Sequence, residues 1–404
     1  MMQPVPPRAR IERLKIQNYR VLRDVELKGL TPLTVLLGPN GSGKSTVFDV
    51  FAFLHEAFTV SLRSAWDRRN RMRELRSRGA TGPIRIEIKY RETGQRLVTY
   101  QLEIDELYGS PIVNHELLRW SLSPGSGRPT EILKFARGQG TVVDDETGER
   151  RSEPLDSPDL LAVNTLGQFA RHPRVAALRR FISGWYLSHL SAASGRSLPE
   201  AGPQPRLSVT GDNLPNVVQY LSEQHPDRLE TIKRVLAERV PQMDEVDTEI
   251  LADGRLLLRF KDAPFEEPVL SKFTSDGTLK LLSYLTVLYD PEPPQVVGIE
   301  EPENFLHPRL LPVLAEEARL AADRSQLLVT THSPYFVNAL KPKELWVLYR
   351  AGDGFARALR ASDLHKVTGQ VAAGGQLGDL WMEGYFDVGD PLVRSGRPRY
   401  GVGA

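Results

Sequence analysis

The sequence predicts an α/β protein built on a parallel core sheet, and three observations carry that prediction. Leu33-Thr34-Val35-Leu36-Leu37 is a short apolar run, as a strand buried on both faces would be. A glycine-rich turn ends it, and an apolar-rich helix containing Val47, Phe48, Val50, Phe51, Phe53 and Leu54 follows. The last third then alternates helix and strand, the order expected of parallel strands joined by crossover helices.

Taken in order, Ile11, Leu14 and Ile16 predict a first strand. A turn at Asn18-Tyr19-Arg20 follows, and Val21, Val25 and Leu27 continue the strand pattern. Residues 61–79 are arginine-rich. Ile84, Ile86, Ile88 and Tyr90, then Val98, Tyr100, Leu102 and Ile104, alternate as two strands. Residues 121–160, rich in Gly, Pro, Ser and acids, read as long loops or a hairpin. Residues 161–240 read as mainly helical, and strands return at 246–260 around Leu256-Leu257-Leu258. Residues 279–289 read as an apolar helix, 296–299 as a buried strand, and 310–321 as a helix with apolar residues at helical spacing. Strands at 326–330 and 345–349 complete the pattern. This gives three expected segments: 1–60 with the glycine-rich turn, 61–265 as an antiparallel β lobe with a mainly helical insertion, and 266–404 with the remaining motifs.

Composition narrows the function. The 404 residues suit two or three units of roughly 150 residues each. With 40% hydrophobic and 25% charged residues, the chain matches a globular protein, not a disordered one. A net charge of +1 provides no global basic field, so nucleic-acid binding would need a local patch. The absence of cysteine excludes a disulfide framework, a thiolate zinc site and a cysteine nucleophile. The start of the chain lacks the apolar core of a signal peptide, and no stretch approaches ~18 uncharged apolar residues. A cytoplasmic protein without a membrane domain of its own is expected.

Four motifs bear chemistry. Gly38-Pro39-Asn40-Gly41-Ser42-Gly43-Lys44-Ser45 matches G-x-x-x-x-G-K-[ST] between a strand and a helix. Its backbone N–H groups and helix dipole suit phosphates. Lys44 would reach the β- and γ-phosphates and Ser45 would ligate Mg²⁺; Thr46 completes the expected nucleotide-contacting set. Val296-Val297-Gly298-Ile299-Glu300-Glu301-Pro302-Glu303 is an apolar strand ending in carboxylates, with Glu300 as the metal-side acid and Glu301 as the base toward water. A solvated acidic loop is the plainer alternative. Thr330-Thr331-His332-Ser333-Pro334 follows the next strand. Neighbouring parallel strands would bring His332 to the edge that holds Glu301, where it could contact the γ-phosphate and the attacking water. Finally, Phe273-Thr274-Ser275-Asp276-Gly277-Thr278-Leu279 opens an apolar helix. Ser275 reads either as a simple cap or as part of a phosphate-binding helix end that serves another subunit.

The order of these four motifs resembles that of ATP-binding-cassette ATPases, in the soluble RecF/SMC/OLD-like branch. Leu14-Lys15-Ile16-Gln17-Asn18-Tyr19-Arg20, Gly211-Asp212-Asn213-Leu214 and Leu377-Gly378-Asp379-Leu380-Trp381 also look like that branch, especially its stand-alone bacterial RecF-like ATPases. The resemblance covers most of the chain and is weakest between 60 and 200. It implies an ATPase with ATP and Mg²⁺ as cofactors, working as an ATP-dependent homodimer. Ser275 and Gly277 would form the signature that reaches the partner's ATP, Glu301 would be the catalytic glutamate and His332 the switch histidine. Residues 302–306 would form the segment crossing the dimer interface. One departure stands out: Glu300 occupies the place of the usual Asp, so that metal contact through water is expected. The family's Mg²⁺-sensing glutamine has no clear counterpart, and Gln168 is a candidate only by position. The chain lacks the long heptad insertion of SMC proteins. Too little sequence follows Thr331 for the metal-dependent nuclease domain of OLD proteins, so nuclease activity is not expected of this chain.

Arg63, Arg68, Arg69, Arg71, Arg73, Arg76 and Arg78, with Trp66 and Met72 among them, could hold DNA or RNA phosphates. A solvated or partner-facing helix explains them equally well. Two functions therefore stay open: an ATP-driven clamp on nucleic acid in DNA repair or genome surveillance, including phage defence, or a nucleotide-gated regulator of a separately encoded nuclease or toxin. A hexameric AAA+ remodeller fits less well, because the sequence has no arginine-finger or helical-lid pattern.

Overall fold

The structure is a computed structural model and describes residues 9–92, 96–121 and 129–389. The expectations for residues 1–8, for 122–128 within the Gly/Pro-rich stretch, and for 390–404 lie outside them. The chain divides into two units, Met1–Trp185 with Leu340–Ala404, and Tyr186–Ala339.

The first unit carries an eight-stranded antiparallel sheet. It begins with Leu22–Lys28 beside Arg10–Tyr19, Ile84–Arg91 and Leu97–Leu107, and continues through Ser110–Ser121, Thr130–Ala136, Gln139–Val143 and Arg150–Ser152. Alternation fixes the register: Leu14 pairs with Leu27 on one side and Ile88 on the other, and all three are buried. The stretch read as loops or a hairpin contains the hairpin Thr130–Ala136/Gln139–Val143. Leu33–Leu37, buried at every position, runs parallel to Leu345–Arg350, which pairs antiparallel with Ala356–Arg360.

Helix Lys44–Thr59 buries Val47, Phe48, Val50, Phe51, Phe53, Leu54, Ala57 and Phe58, so it is apolar around most of its circumference and belongs in a core. Its rings fix its neighbours: Phe58 meets Tyr100 of the antiparallel sheet edge-on at 5.7 Å, and Phe51 lies 5.3 Å from Trp185. Each such pair adds about 1 kcal/mol beyond area burial.

In the second unit, Tyr186–Ser188, Val296–Glu300 and Gln326–Thr331 run parallel, with Ser188 opposite Ile299 and Glu300 opposite Thr330. Helix Leu311–Ala321 connects the last two. Helix Asp276–Leu288 is buried from Thr278 to its end. Helices Leu214–Gln224 and Pro226–Ala237 accompany a small antiparallel sheet, Met243–Ile250, Leu256–Asp262 and Val269–Leu270. The expectation of a mainly helical 161–240 holds for 162–166, 173–183, 214–224 and 226–237, but it missed the three-residue strand Tyr186–Ser188. Among the described residues no helix is long and apolar enough to cross a membrane.

Candidate functional site

In the first unit, residues 38–43 turn from strand Leu33–Leu37 into helix Lys44–Thr59. Gly43 caps the helix at φ 110°, a conformation natural only to glycine, and a Cβ there would lie 3.2 Å from Val21 Cγ2 and Ala356 Cβ. No side chain caps this helix, and its first turn carries no acid. Its leading N–H groups and positive dipole end are therefore available to an anion. Lys44 is 4% exposed, and its Nζ donates to the carbonyls of Gly38 at 2.7 Å and Pro39 at 3.2 Å, which keeps the ammonium at the loop. Ser42 Oγ is buried without a hydrogen-bond partner among the described residues, whereas Asn40, Gly41 and Ser45 are exposed. A donor-rich turn with one fixed cation and one orphaned hydroxyl fits a polyphosphate.

In the second unit, the carboxyl ends of two adjacent parallel strands bring Glu300, Glu301, Glu303 and His332 together. Glu301 sits at φ 43°, in the left-handed region that a non-glycine residue rarely occupies. Its N–H donates to Thr330 O at 2.9 Å, and Asn304 Nδ2 donates to Glu301 Oε2 at 3.2 Å. Such strain costs of order 1–3 kcal/mol and persists where its surroundings enforce it. Glu303 is the organiser that sequence reasoning missed. Its Oε1 accepts from Thr331 Oγ1 at 2.8 Å and from the His332 backbone N–H at 2.7 Å, and lies 3.0 Å from His332 Nδ1. His332 Nδ1 is 3.8 Å from Glu301 Oε1. A second missed residue, His189, places Nδ1 3.1 Å from Glu300 Oε2, while Glu300 Oε1 is buried without a hydrogen-bond partner among the described residues. An orphaned carboxylate oxygen of this kind fits a hydrated Mg²⁺, for which oxygen donors and waters are the preferred ligands. Among the described residues no group of three or more His, Asp or Glu side chains is arranged to cage a metal by itself.

Ser275 caps helix Asp276–Leu288, its Oγ accepting from Thr278 N–H at 3.1 Å, and it remains exposed. Gly277 allows a close approach, since a Cβ there would meet Phe305 O at 2.9 Å. Phe273 and Phe305 flank this helix start at 72% and 66% exposure. Lys280 is 5% exposed with its Nζ 5.6 Å from the Phe305 ring centroid. Burial pulls its ammonium below the ordinary lysine range, against the opposing pull of Glu303 and Glu301. Gln168, in the first unit, is exposed and donates to Asn164 O in its own turn.

The arginine segment is not one basic helix. Left-handed backbone at Asn70 and Arg71 splits it into Leu62–Asp67 and Arg71–Leu75, and Trp66 and Met72 are buried in the core. Several arginines are tied to carboxylates. Arg69 bridges Asp49 at 2.8 Å and Glu56 at 2.9 Å, both on helix Lys44–Thr59. Arg63 meets Asp159, Arg71 meets Asp67 and Arg76 meets Asp105. Even so, Arg68, Arg69, Arg71, Arg73, Arg76 and Arg78 line an open cleft of about 1040 Å³, together with Arg20 and Arg350. Arg350 Nη1 donates to Gly41 O at 3.4 Å, so the cleft adjoins the phosphate loop.

The α/β fold, the phosphate loop and the strand-tip carboxylates define an ATPase domain of the RecF/SMC/OLD-like kind. The chain belongs to the family described as "AAA domain, putative AbiEii toxin, Type IV TA system", whose model matches residues 33–338. An OLD nuclease of Thermus scotoductus (strain ATCC 700910 / SA-01) is 26% identical over 403 residues, covering 91% of this chain and 68% of that protein. Among solved structures, an SMC head bound to the C-winged helix domain of ScpA superposes with a TM-score of 0.54 at 13% identity, over 87% of this chain and 97% of the other. That likeness is one of fold. An SMC head domain from Thermotoga maritima aligns at TM-score 0.46 and 13% identity, over 87% and 98% of the two chains.

Proposed function

We propose that the chain is a Mg²⁺-dependent ATPase that dimerises on ATP and acts on nucleic acid, in DNA repair or in genome surveillance such as phage defence. The observation that carries this reading is the strand edge where Glu301, in strained backbone, faces His332 and is braced by Asn304. Lys44 binds the β- and γ-phosphates, and the backbone N–H groups of residues 40–46 orient them. Glu301 takes the proton of the attacking water, and His332, held by Glu303, orients that water against the γ-phosphate. Ser45 and Glu300 would hold Mg²⁺, which when bound would supply positive charge against the phosphates.

Ser275 and Gly277 serve the nucleotide of a second copy, whose γ-phosphate meets the positive end of helix Asp276–Leu288. The exposed Phe273 and Phe305 beside that helix start support burial there on dimerisation. Glu301→Gln should therefore bind ATP, lose turnover and sediment as a dimer with ATP and Mg²⁺. Adding Ser275→Arg should give a monomer that still binds ATP. Parental hydrolysis by Glu301→Gln would refute the assignment of the base, and a monomer at saturating ATP would refute the homodimer.

Nucleic acid as the target is supported by the arginine cleft and by the nuclease named among the relatives. The second reading, a nucleotide-gated regulator of a separately encoded effector, is supported by the toxin–antitoxin system in the family description and by the arginines already paired with carboxylates. Salt-dependent DNA binding favours the first; tight co-purification of a neighbouring gene's product without DNA binding favours the second.

A further inference from the structure

We propose that His189 is a positioning residue for the metal-side carboxylate: it fixes one oxygen of Glu300 so that the other is presented to the metal. The proposal rests on the reading of Glu300 as the acid on the Mg²⁺ side. Sheet register sets the pair. Strand Tyr186–Ser188 runs parallel to Val296–Glu300 with Ser188 opposite Ile299, which places His189 opposite Glu300 at the next step. Ser188 Oγ donates to Gly298 O at 2.9 Å, a further bond between the two strands, and His189 N–H donates to Val209 O at 2.8 Å, which ties down the end of its own strand.

The consequence for Glu300 is a divided carboxylate. Oε2 lies 3.1 Å from His189 Nδ1, the distance of an N–H donor bond from the Nδ1–H tautomer. Oε1 is buried and accepts no hydrogen bond among the described residues. A glutamate has one more rotatable bond than the aspartate otherwise expected here, and an unbraced side chain would sample several positions for its free oxygen. A donor on the outer oxygen removes that freedom, as outer-shell partners do for metal-ligating groups, where their loss commonly weakens metal affinity about 10- to 100-fold. The neighbouring pair is built the other way round: in Glu303 and His332 the carboxylate orients the histidine. The edge thus contains one histidine held by an acid and one acid held by a histidine.

The test uses Mn²⁺ as the probe on the full chain saturated with a non-hydrolysable ATP analogue, with free Mn²⁺ read by electron paramagnetic resonance. His189→Ala should weaken Mn²⁺ binding by about 10-fold or more. His189→Asn, whose amide N–H₂ stands near the Nδ1 position, should recover most of the loss. His189→Gln, which places its amide near Nε2, should not. Glu300→Gln should weaken Mn²⁺ binding irrespective of residue 189. Metal-free nucleotide affinity, which reports the intact phosphate loop, should be unchanged in the three His189 variants. Parental Mn²⁺ affinity in His189→Ala, with Glu300→Gln impaired, would overturn the role of His189 alone. Parental affinity in Glu300→Gln would overturn the reading of Glu300, and the role of His189 with it.

Discussion

Replacing Glu116 with Gln should change how the protein's stability depends on pH. Glu116 lies in strand Ser110–Ser121 and is completely buried. Its carboxylate accepts from the backbone N–H groups of Ala162 at 2.6 Å and Val163 at 3.2 Å, and from Tyr100 OH at 3.0 Å. Burial pushes its pKa from 4.5 up to about 7, against the lowering effect of those three donors. Between pH 4.5 and about 7 the folded chain therefore binds a proton that the unfolded chain has released. This contribution is complete below pH 4.5 and is lost as pH rises through about 7. At about 1.4 kcal/mol per pH unit, the full span is worth about 3 kcal/mol. The carboxylate also matters for the site. It holds the start of helix Ala162–Leu166, from which Asn164 Nδ2 donates to Ala57 O at 2.8 Å near the end of the phosphate-loop helix. Urea unfolding followed by tryptophan fluorescence from pH 4.5 to 8 would measure the effect as parent minus Glu116→Gln, which cancels the other titrating groups. The difference should move against the parent by up to about 3 kcal/mol across that range. A difference that does not vary with pH would refute the reasoning.

Lys44→Ala should weaken binding of a fluorescent ATP analogue about 10- to 100-fold, because a charge-assisted hydrogen bond contributes about 1.5–3 kcal/mol; parental affinity would remove Lys44 from the site. Charge reversal of the exposed Arg71, Arg73 and Arg78 to Glu should abolish salt-dependent DNA binding and leave ATP affinity near parental, and retained DNA binding would exclude this face. Arg69 is left out of that set, since it is 11% exposed and paired with two carboxylates, and breaking such a pair costs about 3–5 kcal/mol.

What could be read in the sequence depended on how far each signal extends along the chain. The phosphate loop is contiguous and its flanking strand and helix are apolar runs, so the strand at 33–37 and the helix through 47–54 are legible, while the helix itself runs from Lys44 to Thr59. The strands read at 296–299 and 326–330 are legible for the same reason, each ending one residue later in the structure, and their adjacency follows from the helix between them. Strand Tyr186–Ser188 was not, because three residues cannot display a period; its sole cue is Trp185-Tyr186-Leu187 followed by polar residues, in a stretch otherwise read as helical. His189 was lost with that strand. In the sequence Glu303 reads only as part of the segment 302–306, and only the return of Thr331 and His332 on the next strand gives its Oε1 three close partners. The arginine segment failed differently: its charges were counted correctly, but the left-handed break at Asn70 and the carboxylates opposite, Asp49, Glu56, Asp105 and Asp159, lie outside any local pattern. Asp49 and Glu56 are on one face of the phosphate-loop helix, so Arg20, Arg68 and Arg69 of the cleft are anchored to the element that would bind nucleotide. A polyanion in the cleft would compete with those two carboxylates for Arg69, and a shift of that helix would move Arg69. Any coupling between nucleotide and a target in the cleft should therefore be strongest at low salt, where both the anion and the carboxylates are least screened.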